Sequence, residues 1–442
     1  MVVIKKIFKK CVALLLILAT LFTGRECLQY ILVDDAGSYT RLMMHEFYNQ
    51  KDIDNLFIGA SHCCCSFVPS IVDNEIEKSN SFNLGSASQL IETTYLLIQE
   101  ASEEYDVDHI YLEISYNMSL KSIRDQIWDS MVSTYAITDY LNPSLKKYMY
   151  LLTECSPETY ANSFFAVRRN WESLFESGYV SGVVKKKIAQ EYKNYDYVIN
   201  EQSMYGGKGY VANDVAVSDG SFFWEKNYDS VKVEDIDIKW TETLEEIISY
   251  CDKQDIKLTL VSTPVTSFLN VDRENYDLYI QYIESLIKGA DVEYWDFNLM
   301  KETYFPDTST YFGDTNHTNK YGAELFTSIL AKLISGEISQ EDLFYGSMEE
   351  KLKHLSEQPA VYGISYEREE KNGENIRKCK IVSNRQMEYQ IVIALEDGTT
   401  YNIQEFDNNS TFALPDEVTG VCTINYRTEE NRGDVYTTSI KF

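Results

Sequence analysis

Apolar and polar residues follow two different rhythms along most of the chain. Short apolar runs alternate from about residue 54 with longer stretches in which apolar residues recur at helical spacing. The short runs predict strands at 56–58, 81–84, 110–114, 257–261 and 292–297, and the longer stretches predict helices at 68–78, 90–105, 241–253, 274–288 and 321–333. Strands separated by helices are typical of a parallel sheet. We therefore predict an α/β domain over residues 41–340, with a doubly wound, three-layer parallel sheet.

Two segments interrupt or end this rhythm. Residues 129–235 are rich in Tyr, Ser and Asn and include a glycine-rich run at 205–210, which predicts an insertion of helices and loops. Residues 345–442 contain short strand-like runs separated by turn residues, with no helical pattern among them. We predict a small C-terminal β-sandwich there. Cys379 and Cys422 both fall in this region and could form a disulfide.

The first forty residues have the character of a membrane anchor. Four lysines between residues 5 and 10 precede an apolar run at 11–22, a charge order that keeps the basic flank in the cytoplasm. Arg25 and Glu26 follow in place of a small-x-small cleavage site, and no lipobox precedes Cys27. We expect residues 1–40 to be an uncleaved single-pass signal anchor, with a cleaved signal peptide as the alternative. Either one places the residues after about 35 outside the cytoplasm, and the anchor would hold them at the cell membrane.

Charge and cysteine spacing limit the classes of partner and of metal site that we expect. The chain has 442 residues and a formal net charge of −29, which argues against a nucleic-acid partner because phosphate backbones bind mainly through Lys and Arg. Its 44% hydrophobic content excludes a wholly disordered chain. The consecutive cysteines at 63–65 suit neither regular disulfides nor the spaced ligand pairs of a zinc site, so we expect them to be buried small residues. We expect neither a metal nor a cofactor.

Residues with chemical potential cluster where the predicted strands end. In an open α/β sheet, functional groups gather at the carboxyl ends of the strands. Ser61 follows the first strand, Gly85 the second and Asn117 the third, while Asp314 and His317 come directly before the last helix. A serine hydroxyl becomes a nucleophile only when a base takes its proton. Loop and helix-cap roles are the structural alternatives for each of these residues.

These residues together resemble the motifs of the SGNH (GDSL-type) hydrolase family. Gly59-Ala60-Ser61 resembles its first block, Gly85 its second, and Asp314 with His317 its last. The third block, Gly-x-Asn-Asp, is absent, and Asn117 is the nearest counterpart by position.

The resemblance implies roles for these residues. Ser61 would be the nucleophile, His317 its base, and Asp314 the residue that orients the imidazole. The backbone N–H groups of Ser61 and Gly85 and the side chain of Asn117 would stabilise the oxyanion. His62 as an alternative base and a cysteine at 63–65 as an alternative nucleophile are disfavoured by the motif pattern.

An anchor followed by an SGNH-like domain is similar to the D-alanine transfer protein of the teichoic-acid pathway and to exopolysaccharide O-acetyltransferases. The resemblance implies a serine O-acyltransferase or O-acylesterase that acts on a cell-envelope glycan or another acylated substrate. A multispanning membrane O-acyltransferase would be its partner. The alternative is a catalytically silent scaffold or binding protein of an envelope polysaccharide assembly complex, which the missing third block favours.

Overall fold

Helices and strands alternate through the first three quarters of the chain, and strands fill the last part. The computed structural model describes residues 2–130, 132–196, 203–215, 222–226, 230–306, 309–371 and 373–442. The first elements are α1 (Val2–Leu32), α2 (Tyr39–Phe47), β1 (Asn55–Ile58), α3 (Ser61–Ser66), α4 (Pro69–Glu75), β2 (Ser81–Asn83), α5 (Ile91–Glu104), β3 (His109–Glu113) and α6 (Tyr116–Ser119). The predicted insertion contains α7 (Lys121–Ser130), α8 (Val132–Thr138), α9 (Leu145–Thr153), α10 (Pro157–Phe164), α11 (Tyr179–Ile188), α12 (Gln190–Lys193), β4 (Ser203–Gly207), β5 (Tyr210–Asn213) and β6 (Phe222–Glu225).

The remaining elements complete the α/β region and the C-terminal region. The former ends with α13 (Ile238–Gln254), β7 (Lys257–Ser262), α14 (Ser267–Asp272), α15 (Asp277–Ile287), β8 (Val292–Asp296), α16 (Lys320–Ile334), α17 (Gln340–Leu343) and α18 (Met348–Leu355). The latter has β9 (Val361–Lys371), β10 (Glu374–Ser383), β11 (Glu388–Leu395), β12 (Thr400–Asp407), β13 (Thr411–Pro415), β14 (Gly420–Arg427) and β15 (Tyr436–Lys441). Short 3-10 helices cover Ala166–Asn170, Glu172–Phe175, Val233–Asp235, Phe297–Leu299 and Ser309–Tyr311.

The centre of the α/β region is a five-stranded sheet in the order β2-β1-β3-β7-β8. Every neighbouring pair in it is parallel, so the predicted α/β class with a parallel sheet is confirmed. Counting only these five strands along the chain, the order is 2-1-3-4-5, which occurs in doubly wound sheets. In such a sheet, the loops that leave the carboxyl ends of the central strands meet over one edge.

Both faces of the sheet are buried. Successive side chains of a strand point to opposite faces, so Leu56 and Ile58 join one apolar core while Phe57 joins another. The first core takes in α5, α13 and α15, and the second takes in α16 and part of α4. Burying apolar area on both faces, at about 25 cal/mol per Å², is what holds the strand ends in fixed positions.

The insertion contains strands that its polar composition did not predict. Strands β4 and β5 pair as an antiparallel hairpin, and β6 pairs in parallel with β9 of the C-terminal region. The hairpin turn lies against β2, where the Asn83 N–H donates to the Lys208 carbonyl at 2.9 Å. Gly209 has φ +83, and a side chain there would overlap the Asn83 carbonyl oxygen. The glycine-rich run at 205–210 therefore allows a close backbone approach.

Two four-stranded sheets make up the C-terminal region. Their orders are β13-β10-β9-β6 and β12-β11-β14-β15, and all pairs except β6 with β9 are antiparallel. Residues of both sheets form one apolar core. Cys379 and Cys422 are buried in that core as free cysteines, so the disulfide considered from the sequence is not formed. Burial raises the pKa of each thiol to about 12, and both pack as small apolar side chains.

The N-terminal helix α1 is continuous from residue 2 to residue 32, across Gly24, Arg25 and Glu26. Within the described part of the chain, it is the one helix long and apolar enough to cross a membrane, by length and composition. It fits a signal anchor or a single membrane span.

Candidate active site

The backbone around Ser61 is shaped by Gly59 at the end of β1. Gly59 has φ +155, and a Cβ atom there would lie 2.6 Å from the Cβ and 2.7 Å from the Oε2 of Glu113. Only glycine fits both this dihedral and this contact. The next residue, Ala60, donates its N–H to the Glu113 Oε2 at 2.9 Å. The turn that presents Ser61 is therefore held by the last residue of β3.

Ser61 is the first residue of α3, and the buried side chain of Asn83 secures that short helix from the neighbouring strand. The Asn83 carboxamide donates to the carbonyls of Cys63 and Phe67 at 2.9 and 3.0 Å. Its oxygen accepts from the Cys63 thiol at 3.2 Å. Asn83 is fully buried, and both its NH₂ group and its oxygen have hydrogen-bond partners in and next to α3. These bonds determine the position of α3 closely.

Asp314 and His317 lie in the loop before α16, and several polar contacts fix that loop. Its Thr315 carbonyl accepts from the N–H and the hydroxyl of Thr266, at 3.2 and 2.7 Å. The Thr318 hydroxyl lies 2.9 Å from that of Ser66, at the end of α3. The Asn319 side chain caps α16 by accepting from the N–H groups of residues 321 and 322. The loop before α16 is thus bonded both to α3, which begins with Ser61, and to the segment that follows β7.

Ser61, His317 and Asp314 form a continuous chain of hydrogen bonds. The Ser61 Oγ lies 2.8 Å from the His317 Nε2, although the two residues are 256 positions apart. The His317 Nδ1 lies 2.9 Å from the Asp314 Oδ2. The Asp314 Oδ1 accepts from the N–H groups of Asn316 and His317, both at 2.8 Å. A carboxylate on Nδ1 keeps the proton on that nitrogen and leaves Nε2 free to accept the serine proton.

The electrostatics of the pair suit a base. Burial alone lowers the pKa of His317, but the hydrogen bond and charge of Asp314 outweigh it and raise that pKa above its ordinary 6.5. Burial likewise raises the pKa of Asp314, yet its bonds to His317 and to two backbone N–H groups leave it below its ordinary value. Asp314 is therefore ionised across the neutral pH range, where it stabilises a protonated imidazole.

Gly85 lies against the nucleophile helix, but its N–H is already engaged. That N–H donates to the Asn83 side-chain oxygen at 2.8 Å. A Cβ atom at Gly85 would lie 2.7 Å from the Cβ of Cys63 and from the backbone nitrogen of Cys64. The glycine is thus required for close packing. Its N–H would serve an oxyanion only after exchanging Asn83 for the new partner.

Asn117 lies in the single turn of α6, after β3. Its side-chain oxygen is buried and accepts no hydrogen bond. The Ser115 hydroxyl, two residues earlier, is also buried and has no hydrogen-bond partner. Among the hydrogen bonds between described residues, none joins Asn117 to Ser61 or to His317. The structure therefore brings three of the five predicted site residues into direct contact and leaves Gly85 and Asn117 outside that chain.

Glu113 is a site residue that the sequence analysis missed. Its side chain is 1% exposed, and its Oε1 lies 3.5 Å from the Nδ1 of His62. The His62 and His317 rings lie 4.7 Å apart between centroids. Burial lowers the pKa of His62, an effect that Glu113 only partly offsets, so His62 is neutral at neutral pH. A carboxylate as the last residue of a buried strand was the available signal.

We expect Glu113→Ala to lower both stability and turnover. Removing the carboxylate leaves the buried Ala60 N–H without its acceptor, a loss of about 1–3 kcal/mol in the free energy of unfolding. The turn before Ser61 would also loosen. Glu113→Gln keeps an acceptor oxygen and the side-chain volume, so it is the matched control with a smaller loss. Urea unfolding and kcat for p-nitrophenyl acetate measure both effects. Wild-type values for Glu113→Ala would contradict the prediction.

The three consecutive cysteines pack beside the site. Cys63 and Cys64 are buried, Cys65 is partly buried, and all three are free. Burial raises the pKa of the Cys63 thiol well above its ordinary value. Within the described ranges, no group of three or more His, Cys, Asp or Glu side chains is arranged to hold a metal ion.

The likenesses of this chain to known proteins are weak. No protein-family model matches the chain, and no curated protein matches it. Among solved structures, it is similar to a protein of Streptococcus pneumonia described as a platelet activating factor, at 12% identity and a TM-score of 0.32, over 74% of this chain and 98% of that one. It is also similar to a double mutant of the Cellulomonas fimi endo-beta-1,4-mannanase, at 10% identity and a TM-score of 0.15, over 93% and 98%. Likenesses at these TM-scores establish neither a shared fold nor a shared activity.

Proposed function

We propose that this protein is a membrane-anchored serine acyl-transfer enzyme of the SGNH type, an O-acyltransferase or O-acylesterase for a cell-envelope glycan. The observation that carries the proposal is the hydrogen-bonded chain from the Ser61 Oγ through His317 to Asp314, with distances of 2.8 and 2.9 Å. A nucleophile, its base and an orienting carboxylate within 2.6–3.2 Å of one another are the arrangement that acyl transfer requires.

The chemistry proceeds in two halves. The Ser61 Oγ attacks the carbonyl carbon of an ester while the His317 Nε2 takes the hydroxyl proton. The imidazolium, stabilised by Asp314, then returns that proton to the departing alcohol, and an acyl-serine remains. In the second half, water or a glycan hydroxyl gives its proton to His317 and takes the acyl group, and Ser61 recovers its proton. Hydrolysis and transfer therefore use the same residues and differ only in the acceptor.

An oxyanion forms on the attacked carbonyl in each half. Ser61 begins α3, so its N–H has no carbonyl one turn earlier to bond and is suited to donate. We propose Gly85 and Asn117 as the further donors, the first after exchange of its bond with Asn83 and the second through its side-chain amide.

The anchor supports an extracytoplasmic substrate. The lysines before the apolar run favour a cytoplasmic N-terminus, so the domains after α1 would face the envelope glycans. A multispanning membrane O-acyltransferase is the partner that would supply the acyl group across the bilayer. The scaffold alternative expects Ser61 and His317 to lie apart, and the 2.8 Å distance between their side chains favours an enzyme.

The pH dependence of turnover tests the proposed base. Protonated His317 cannot accept the Ser61 proton, so kcat/KM should rise with pH through the pKa of His317. That pKa lies above the ordinary 6.5 because the bond and charge of Asp314 outweigh the effect of burial. The measurement is kcat/KM for p-nitrophenyl acetate across the pH range in which the protein stays folded. An inflection at or below 6.5 would contradict the assignment.

An acceptor competition experiment tests the function itself. The full chain in detergent is mixed with p-nitrophenyl acetate, with and without envelope polysaccharide, and in a separate reaction with acetylated polysaccharide alone. Acetate and acetylated glycan are quantified in each. A transferase acetylates the glycan at the expense of free acetate, and an esterase releases acetate from acetylated glycan. If neither reaction occurs while the wild-type chain folds, the protein is not an acyl-transfer enzyme.

A further inference from the structure

The insertion presents a set of large apolar side chains to solvent. Phe165, Trp171, Phe175 and Ile188 are 51, 58, 76 and 59% exposed. We call these four residues the aromatic face. The rings of Trp171 and Phe175 contact each other edge to face, with centroids 5.3 Å apart. Exposed apolar side chains that lie together, as Trp171 and Phe175 do, are typical of an interaction surface.

The elements that carry the aromatic face contact the C-terminal end of α1. The Gln29 side chain accepts from the Ala166 N–H at 3.3 Å, and the Tyr30 hydroxyl donates to the Lys187 carbonyl at 3.3 Å. The Tyr179 hydroxyl donates to the Leu32 carbonyl at 3.0 Å. The segment that carries the aromatic face is thus fixed to the last turn of the anchor helix.

Charged side chains of both signs surround the aromatic face. Residues 164–193 hold six Lys or Arg and three Glu, a net +3 in a chain of −29. Three of the basic side chains, Arg169, Lys186 and Lys187, pair with aspartates outside that range. The other three, Arg168, Lys185 and Lys193, are exposed, and so are Glu172, Glu176 and Glu191. Exposed aromatic and aliphatic side chains among charged ones of both signs suit the headgroup region of a membrane, where apolar side chains reach the acyl boundary and charged ones stay in water.

The length of the apolar run also indicates that lipid reaches the insertion. Residues 11–24 span only about 21 Å as a helix, against about 30 Å of bilayer hydrocarbon. The next turn contains Arg25, which pairs with Glu26, donates to the Phe164 carbonyl and lies over the Phe22 and Phe164 rings at 5.6 and 4.6 Å. Lipid that extends beyond residue 24 would therefore meet the insertion.

We propose that the aromatic face is embedded in the interfacial layer of a phospholipid bilayer, beside the end of a short membrane span. This inference rests on the anchor in the proposed function and deepens it. The insertion then holds the α/β domain against the membrane in one orientation, since two attached surfaces remove the free rotation that a single helix allows.

Tryptophan quenching by brominated lipid tests the proposal on the full chain. The protein is reconstituted into vesicles of phosphatidylglycerol with brominated or unbrominated phosphatidylcholine. We expect Trp171→Phe to remove most of the bromine-dependent quenching. Trp224→Phe is the matched control, because Trp224 is 39% exposed but lies on β6, in the C-terminal sheet. That variant should quench like the wild type.

Two results would overturn the proposal. The first is bromine-dependent quenching of the Trp171→Phe fluorescence that is as large as that of the wild type. The second is a wild-type chain that cross-links as a dimer in vesicles with Trp171 unquenched, which would mean that a second copy covers the aromatic face. Ser61→Ala should quench like the wild type. The membrane contact and the acyl-transfer function therefore fail or stand separately.

Discussion

Replacing Ser61 with alanine is expected to abolish ester hydrolysis, with a fall in kcat of about four to six orders of magnitude. The Ser61 Oγ lies 2.8 Å from the His317 Nε2, and without it no acyl-serine forms. Hydrolysis of p-nitrophenyl acetate and covalent labelling by a fluorophosphonate probe are the two measurements. Both should be lost together, because both require the same nucleophilic oxygen.

Ser70→Ala is the matched control, since Ser70 is an exposed serine on α4, the next helix. It should keep wild-type turnover and labelling. Cys65→Ala separates the nucleophiles, because a cysteine mechanism would lose activity there and keep it in Ser61→Ala. Full activity in Ser61→Ala would refute the proposed mechanism.

Asp314→Asn is expected to reduce kcat by about 10⁴-fold with little change in stability. The Asp314 Oδ1 accepts two backbone N–H groups, so an asparagine oxygen would occupy that position. Its NH₂ group would then face the His317 Nδ1, now 2.9 Å from a carboxylate oxygen. A donor at that point moves the ring proton to Nε2, which can no longer accept from Ser61.

The measurements are kcat for an ester and the thermal unfolding midpoint. Asp291→Asn, in the exposed turn before β8, is the control for the loss of a negative charge and should leave both unchanged. An Asp314→Asn protein that turns over within tenfold of wild type would show that Asp314 does not orient the base.

Local pattern alone predicted much of the fold. The five sheet strands and the helices between them were located to within a few residues, because burial on both faces and helical spacing leave direct marks on the sequence. Strands β4, β5 and β6 were missed, because the polar insertion predicted helices and loops. Strand β6 lies in the polar insertion and gains its partner from β9, far away in the chain. Such a strand carries no local signature.

The candidate site divides in the same way. The sequence by itself singled out Ser61, Asp314 and His317, because the glycine before the serine and the three-residue spacing of the acid and base are local features. Only the tertiary structure decided that Ser61 and His317 meet across 256 residues, that Glu113 holds the Ser61 turn, and that Asn83 occupies the Gly85 N–H. Those contacts depend on which strands adjoin in the sheet and how closely α3 packs on them. Neither property is encoded in a short stretch of chain.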